Sequence, residues 1–304
     1  MKWVVSYMST NFKQKVYIDT IARAPPHTPR QRSVMLRVLF AIMAWLPAVA
    51  GRTSAFPPVA GRTSAFPPGW NKLAKTPPLG WRSWNAFGNR ITQKMMLDAA
   101  SALVAKNRTL PGGGEAFSLR DIGYASVGVD EGWEGCGAGV NHTQHNASGL
   151  PTINTASFPN VPAMVAHVHG LGLSAGWYLN GCKCGERKAL DKNYAGDIQS
   201  LHTYDFDGVK IDGCGAQRNM TLYAQLMQES GKSYTIENCH WGRCTPSDDS
   251  SCPTHDWCPF NWYRTSGDIN AGTASWLSNL QTTIRFQDPI KPLSQPGCWA
   301  YPGT

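Results

Sequence analysis

Acidic residues are almost absent from the first quarter of the chain, where Asp19 is the only one among residues 1–75, against 11 Lys and Arg. The rest of the chain contains the other 17 of the 28 basic residues and 19 of the 20 acidic residues, so it is slightly acidic. The net charge of +8 therefore does not describe a basic face. No basic stripe with interleaved aromatic residues is present, and the sequence argues against a nucleic-acid partner.

The chain also lacks an apolar run long enough to cross a membrane, which takes about 20 residues. Its apolar run from Val38 to Leu46 is shorter, follows Arg37 and precedes an Ala-Val-Ala pattern. These features predict a secretory signal peptide at 35–50, with an internal helix or a signal anchor as alternatives. We expect translation to start at Met35, residues 1–34 to be an upstream extension, and the cleaved protein to have no membrane contact.

Residues 51–75 are rich in Pro, Gly and Ser, and the decapeptide VAGRTSAFPP occurs twice in tandem, from Val49 and from Val59. Such composition is typical of a flexible linker. We therefore expect one folded domain at 76–304.

Standard zinc-finger spacings are missing, although four cysteines and two histidines lie close together between Cys239 and Cys258. Zinc is the alternative for this cluster, but nine cysteines behind a signal peptide favour disulfides in an oxidising compartment. An odd number leaves at least one thiol unpaired or bonded elsewhere. Four glycosylation sequons agree with secretion, or with delivery to a lysosome or vacuole: Asn107, Asn141, Asn146 and Asn219. The candidate disulfide cysteines of the cluster are Cys239, Cys244, Cys252 and Cys258.

Short apolar or aromatic runs recur from Leu79 onward and predict strands. The runs begin near residues 79, 124, 171, 206, 233 and 262, and a seventh begins near 297. Helix-like segments, among them 93–105, 161–169 and 220–229, lie between several of them. This alternation predicts an α/β fold with a parallel sheet, either doubly wound or a TIM (β/α)8 barrel. Polar or aromatic clusters at the strand ends favour the barrel, here with strands 1–6 and the start of strand 7.

Two carboxylates are candidates for catalysis. Asp212 ends the predicted strand GVKI, and Lys210 points to the same side two residues earlier, where its charge would keep a carboxylate ionised. A Lys–Asp pair that merely closes a turn is the alternative. Asp268 ends a later strand, so the two carboxylates could converge at one mouth, which is the arrangement that glycoside hydrolysis uses.

Several motifs together resemble the family-27 glycoside hydrolases, which include α-galactosidases and α-N-acetylgalactosaminidases. TPPLGWRSWNAF resembles the family's opening strand, VDEGW its DDGW, KIDGC its KYDNC, and YRTSGDI its R-x-x-x-D-I. The resemblance runs in order over 76–304. It implies a TIM-barrel glycosidase that releases terminal α-linked galactose with retention and needs no metal or cofactor. A carbohydrate is the implied partner, and a homodimer is left open.

Carried over position by position, the resemblance makes Asp212 the nucleophile and Asp268 the acid/base. It also implies a cystine that joins Cys214 to Cys182 or Cys184. Blander roles in core packing or structural ion pairs remain open for the aromatic and charged positions. The implied substrate-binding residues are Trp84, Asp130, Glu131, Tyr178, Lys210, His240 and Arg264.

The sequence departs from the family pattern at three places. Glu131 replaces the second Asp of DDGW, and His240 stands where the family has the Glu that contacts the sugar 2-hydroxyl. PGCWAYPGT resembles PGGWNDPDML but has Ala300, Tyr301 and Gly303 where that pattern has Asn and two Asp. Because the chain stops there, we expect a truncated barrel. A non-catalytic carbohydrate-binding relative or an inactive fragment are the alternative functions.

Overall fold

The structure, a computed structural model, describes residues 66–239 and 252–303, all within the unit Ser64–Thr304. Its centre is a sheet of seven parallel strands, each paired with the next along the chain. The strands are β1 (Gly80–Arg82), β2 (Ser126–Gly128), β3 (Ser174–Leu179), β4 (Gly208–Asp212), β5 (Thr235–Cys239), β6 (Trp262–Arg264) and β7 (Trp299–Tyr301).

Helices follow most of these strands. In chain order they are α1 (Trp84–Phe87), α2 (Gln93–Val104), α3 (Val161–Gly170), α4 (Asp191–Thr203), α5 (Met220–Glu229) and α6 (Thr273–Gln281). Side chains cap three of the helices at the amino end. Thr92, Asn160 and Asn219 accept hydrogen bonds from the backbone N–H three residues on, which satisfies a donor that the helix leaves free. The helices expected at 93–105, 161–169 and 220–229 are confirmed.

The strand order distinguishes the two predicted folds. A doubly wound sheet reverses its order at a switch point, whereas a barrel adds each strand beside the previous one. Here the order runs from β1 to β7 without reversal, which confirms the barrel prediction. Among the described residues no strand pairs β7 with β1, so the barrel is incomplete.

Alternation along the central strands separates the core from the interior of the barrel. In β4, Val209 and Ile211 are buried in the apolar core, while Lys210 and Asp212 share the opposite face. Lys210 lies beside Tyr178 of β3 and Glu237 of β5 in the sheet register. The interior face therefore carries titratable side chains on adjacent strands.

Residues 66–75 were expected to belong to a flexible linker, but in the structure they pack against the barrel. Phe66 is 2% exposed and makes an edge contact with Trp70. The Phe66 carbonyl accepts from the Cys258 N–H at 2.7 Å, and the Asn71 amide donates to the Tyr234 carbonyl at 2.9 Å. The folded unit thus includes the end of the second decapeptide, with Phe66, and the residues that follow it. The other predicted boundaries lie outside the described residues and stay predictions.

Within 66–239 and 252–303, none of the helices has the length and apolar character that a membrane span requires.

Candidate active site

The carboxyl ends of the strands bring most of the predicted site residues together. Asp130 lies two residues beyond β2, Tyr178 is in β3, Asp212 ends β4 and Arg264 ends β6. All four are at most 7% exposed. In parallel barrels this end carries the site, so the arrangement agrees with the sequence prediction.

Asp212 has one oxygen bound and one free. The Tyr178 hydroxyl donates to Oδ2 at 2.6 Å, while Oδ1 is buried and has no hydrogen-bond partner in the described part of the chain. Burial raises the pKa of Asp212, although the Tyr178 hydrogen bond and the positive charge of Lys210 act in the opposite direction. A buried carboxylate oxygen without a partner is uncommon and is suited to attack a bound substrate.

Lys210 forms its direct ion pair with Asp130 and not with Asp212. Its Nζ lies 2.8 Å from Asp130 Oδ2 and 5.4 Å from the centre of the Tyr178 ring. Burial would lower the pKa of Lys210, but the charges of Cys239, Asp130 and Glu237 outweigh it and raise the pKa. The sequence placed Lys210 on the same side as Asp212 correctly, and only the side-chain contact in the folded structure showed that Asp130 is the partner.

Asp268 is held by two predicted substrate-binding residues. Arg264 Nη2 donates to Oδ1 at 2.6 Å, and the Trp84 indole N–H donates to Oδ2 at 3.0 Å. The Asp268 side chain is 47% exposed, whereas that of Arg264 is 4% exposed. The carboxylate is therefore hydrogen-bonded through both oxygens and still open to solvent. Solvent access would suit a group that exchanges a proton with substrate and water.

Glu131 joins two loops of the site. Its Oε1 accepts from the backbone N–H of Lys183 at 2.6 Å. Burial and the charges of Asp212 and Asp130 raise the pKa of Glu131, against the lowering effect of that hydrogen bond. In this structure the carboxylate fastens the loop after β3, and its predicted contact with substrate stays a prediction.

His240 and Cys244 lie outside the described residues. Cys239, immediately before His240, was a disulfide candidate, and the structure shows that this was wrong. Its thiol is free and buried, and Arg264 Nη1 donates to Sγ at 3.1 Å. Burial raises the pKa of Cys239 to about 11. The alternation of β5 places this side chain on the same face as Glu237, in the barrel interior.

Three disulfides are fully described. Cys182–Cys214 is one of the two pairings that the resemblance implied, and Cys184 bonds instead to Cys136. Cys258 bonds to Cys298, and Cys252 is also disulfide-bonded. Cys136 and Cys298 were not among the candidates, because nothing local marks a pairing between residues 40 or more positions apart.

A buried ion pair in the barrel interior was not predicted from the sequence. Arg82 Nη2 lies 2.8 Å from Glu237 Oε2, and the Tyr301 hydroxyl donates to the other Glu237 oxygen. Burial would raise the pKa of Glu237, but the charges of Arg82 and Lys210 hold it below the usual range. Arg82 Nε also lies 4.0 Å from Asp130 Oδ2. A charged residue within a predicted strand was a signal that could have pointed to this pair. Alternation along β5 places Glu237 on the same face as Cys239.

The chain is similar in sequence to proteins with known names. The chain is 29% identical over 232 residues to a probable α-galactosidase of Dictyostelium discoideum, covering 74% of this chain and 53% of the relative. It is 26% identical over 259 residues to human α-N-acetylgalactosaminidase, covering 76% and 56%. The chain thus spans about half the length of these curated relatives.

A solved structure shares the fold. The crystal structure of α-galactosidase I from Mortierella vinacea superposes with a TM-score of 0.60 at 22% identity, covering 77% of this chain and 60% of that one. The profile of the family described as alpha galactosidase A matches residues 76–304. Because the match includes every strand and the whole described site, the chain belongs to the alpha galactosidase A family, within the family-27 glycoside hydrolases.

Proposed function

We propose that this protein is a secreted glycoside hydrolase that releases terminal α-linked galactose with retention of configuration. The observation that carries the proposal is the Asp212 carboxylate, whose Oδ2 is fixed by Tyr178 and whose Oδ1 is free. A second carboxylate, Asp268, is anchored by Arg264 and Trp84. The disulfides support the extracellular or lysosomal setting.

The reaction would take two steps. In the first, Asp212 Oδ1 attacks the anomeric carbon while Asp268 gives its proton to the glycosidic oxygen, so that the aglycone leaves as an alcohol. In the second, Asp268 takes a proton from water, the water oxygen attacks the anomeric carbon, and Asp212 leaves as a carboxylate. Two inversions restore the original configuration.

The neighbouring charges give each residue a part in this sequence. Lys210 and the Tyr178 hydroxyl favour the ionised form of Asp212, which the attack requires. Lys210 and Asp130 together present a donor and an acceptor to sugar hydroxyls. A non-catalytic carbohydrate-binding role would not require both a carboxylate oxygen without a described hydrogen-bond partner and an anchored second carboxylate.

The proposal is tested by proton NMR of the hydrolysis of an aryl α-galactoside by the full-length protein. We expect the α-anomer of galactose to appear first, followed by slow mutarotation. Initial release of the β-anomer would show inversion, and an absence of turnover in a correctly folded protein would reject the hydrolase function.

A further inference from the structure

The residue after β3, Asn180, occupies an unusual backbone position. Its φ is +60°, in the left-handed region that Asn tolerates better than most residues, and its side chain is 2% exposed. A buried polar residue held in this conformation needs compensating contacts. The side-chain hydrogen bonds that the structure describes for Asn180 go to one segment, residues 212–217, which we call the nucleophile loop because it begins with Asp212.

Asn180 forms three hydrogen bonds with the nucleophile loop. Its Nδ2 donates to the Asp212 carbonyl at 2.5 Å, and its Oδ1 accepts from the Gln217 N–H at 2.8 Å. Its backbone carbonyl accepts from the Gly215 N–H at 2.8 Å. One side chain therefore bridges both ends of the loop, and the first of these bonds is on the backbone of the candidate nucleophile itself.

The packing around this bridge leaves little room for a different arrangement. A Cβ on Gly215 would lie 2.2 Å from Asn180 Oδ1, so only glycine permits the approach. The Cys182–Cys214 disulfide ties the same two segments together covalently. The disulfide limits how far the two segments can separate, and the Asn180 hydrogen bonds add a contact to the Asp212 carbonyl and one to the Gln217 N–H.

The far end of the loop is fixed by a buried charged cluster. Gln217 Nε2 donates to Glu186 Oε1 at 2.9 Å, and His145 Nδ1 lies 2.7 Å from that same oxygen. His145 Nε2 lies 3.0 Å from Asp197 Oδ1. Gln217 thus connects this cluster to Asn180, because its side chain donates to Glu186 and its backbone N–H donates to Asn180 Oδ1.

We infer that Asn180 is a positioning residue for catalysis, which sets the direction in which the Asp212 carboxylate faces the substrate. The inference rests on the proposed function. Tyr178 orients one oxygen of the carboxylate from the side chain, and Asn180 orients the backbone from which the carboxylate projects. Because a displacement of about 1 Å can cost about 100-fold in rate, loss of this bridge reduces nucleophilic attack more than it reduces sugar binding.

The test compares Asn180→Gly with His142→Gly in the full-length protein. Glycine accepts the left-handed backbone, so the Asn180 variant loses the side-chain bridge without added strain. His142 also has a positive φ, 61°, but is exposed and touches no site residue that the structure describes. The reagent is an activated fluorogalactoside, which forms a slowly hydrolysed ester with the nucleophile. The measured quantities are its rate of attachment to Asp212, by mass spectrometry, and the inhibition constant of galactose.

We expect Asn180→Gly to slow attachment by about 10- to 100-fold, with an inhibition constant for galactose within about 3-fold of the wild type, and His142→Gly to match the wild type. Asn180→Asp keeps the acceptor for Gln217 but turns an acceptor oxygen towards the Asp212 carbonyl in place of the donor, so its attachment should also be slower than that of the wild type. Attachment to Asn180→Gly at the wild-type rate would overturn the inference, as would an equal loss of attachment and of galactose binding.

Hydrogen exchange separates this inference from the proposed function. In Asn180→Gly the Gln217 amide should exchange faster, because it loses its acceptor, while the Gly215 amide keeps its bond to the backbone carbonyl of residue 180. Unchanged exchange at Gln217 rejects the bridge whatever the enzyme does. If the wild type neither hydrolyses galactosides nor reacts with the fluorogalactoside, the proposed function and the catalytic role of Asn180 both fail.

Discussion

Tyr178 and Asp212 lie on adjacent strands and meet through one hydrogen bond of 2.6 Å, from the phenol to Oδ2. The same burial that raises the pKa of Asp212 also raises that of the Tyr178 hydroxyl, so the phenol stays protonated and remains the donor. The second carboxylate oxygen is left free for reaction.

Removal of the nucleophile should abolish turnover and allow chemical rescue. We expect Asp212→Ala to lower kcat by more than about 10⁴-fold, since removal of a covalent nucleophile can cost about 10⁶. Azide can occupy the space of the missing carboxylate and should yield a β-galactosyl azide, detectable by NMR. Asp98→Ala on the exposed face of α2 is the control and should be unaffected. Normal turnover by Asp212→Ala would contradict the assignment.

Tyr178→Phe should move the acid limb of the pH profile. The Tyr178 hydrogen bond lowers the pKa of Asp212, so its loss raises that pKa and shifts the acid limb of kcat/KM to higher pH. A bond to a charged group is worth about 1.5–3 kcal/mol, and we expect a loss of about 10- to 100-fold in kcat/KM at acidic pH. Tyr263→Phe is the matched control, because the buried Tyr263 hydroxyl has no partner in the described residues. An acid limb at the wild-type pH in Tyr178→Phe would remove this role.

Glu237→Gln should destabilise the fold through the buried pair with Arg82. Loss of one member of a buried pair costs up to about 3–5 kcal/mol, and Arg82 would keep only its longer contact with Asp130, at 4.0 Å. The control is Asp98→Asn, which breaks the exposed Lys94–Asp98 pair and should cost less than about 1 kcal/mol. Urea unfolding of both variants measures the difference. Equal midpoints would show that the interior pair adds no more than a surface pair.

Deprotonation of His145 should lower the free energy of unfolding at alkaline pH. Burial lowers the pKa of His145, but hydrogen bonds and charges of Asp197 and Glu186 outweigh this and raise the pKa from 6.5 to about 9. The protonated ring is thus favoured in the folded state. Its stabilising contribution is complete below pH 6.5 and is lost as the pH rises through about 9. The pKa of Glu186 is lowered, so its own contribution is lost only on the acid side.

The size of the His145 effect is about 3 kcal/mol, taken from the pKa difference. We expect the unfolding free energy of the wild type to decrease between about pH 6.5 and pH 9, and His145→Gln to be less stable at neutral pH and to lack this slope. His142→Gln is the control, since His142 is exposed. The same slope in His145→Gln and in the wild type would assign the effect to another group.

His240 should determine the preference at the sugar 2-position. A neutral imidazole can bond a 2-hydroxyl, and its ring would crowd an acetamido methyl, so we expect the α-galactoside to be preferred over the α-N-acetylgalactosaminide. Kinetics on both substrates and on the 2-deoxygalactoside, for the wild type and His240→Glu, measure the ratio. The variant should change it by about 10-fold or more, as expected for one contact of about 1–3 kcal/mol. Preference for the N-acetyl substrate, or an unchanged ratio, would refute this role.

Much of the fold was predictable because its signals are local. Each of the seven runs of apolar or aromatic residues became a strand, and the three named helices carry apolar faces and side-chain caps. Helix α4 was not named in advance. It buries Asn193, Asp197 and Ser200, so the apolar periodicity that marks an amphipathic helix is weak there.

The candidate site was predictable to a lesser degree. The motifs identified Asp212, Tyr178, Asp130 and Arg264, and the barrel gathers them at one end. The partners of these residues were not predictable, because each contact joins different strands. Lys210 bonds to Asp130, 80 residues away, and Arg82 to Glu237, 155 residues away.

The sequence by itself determined which residues form strands, that Lys210 and Asp212 lie on the same side of β4, and the family to which the chain belongs. The period of two in a strand and the order of the motifs are properties of neighbouring residues, so they can be taken directly from the chain. The tertiary structure decided which carboxylate pairs with Lys210, that Cys239 stays a thiol, and that Asn180 holds the nucleophile loop. These depend on sheet register and loop closure, which bring distant residues within hydrogen-bonding distance only after folding.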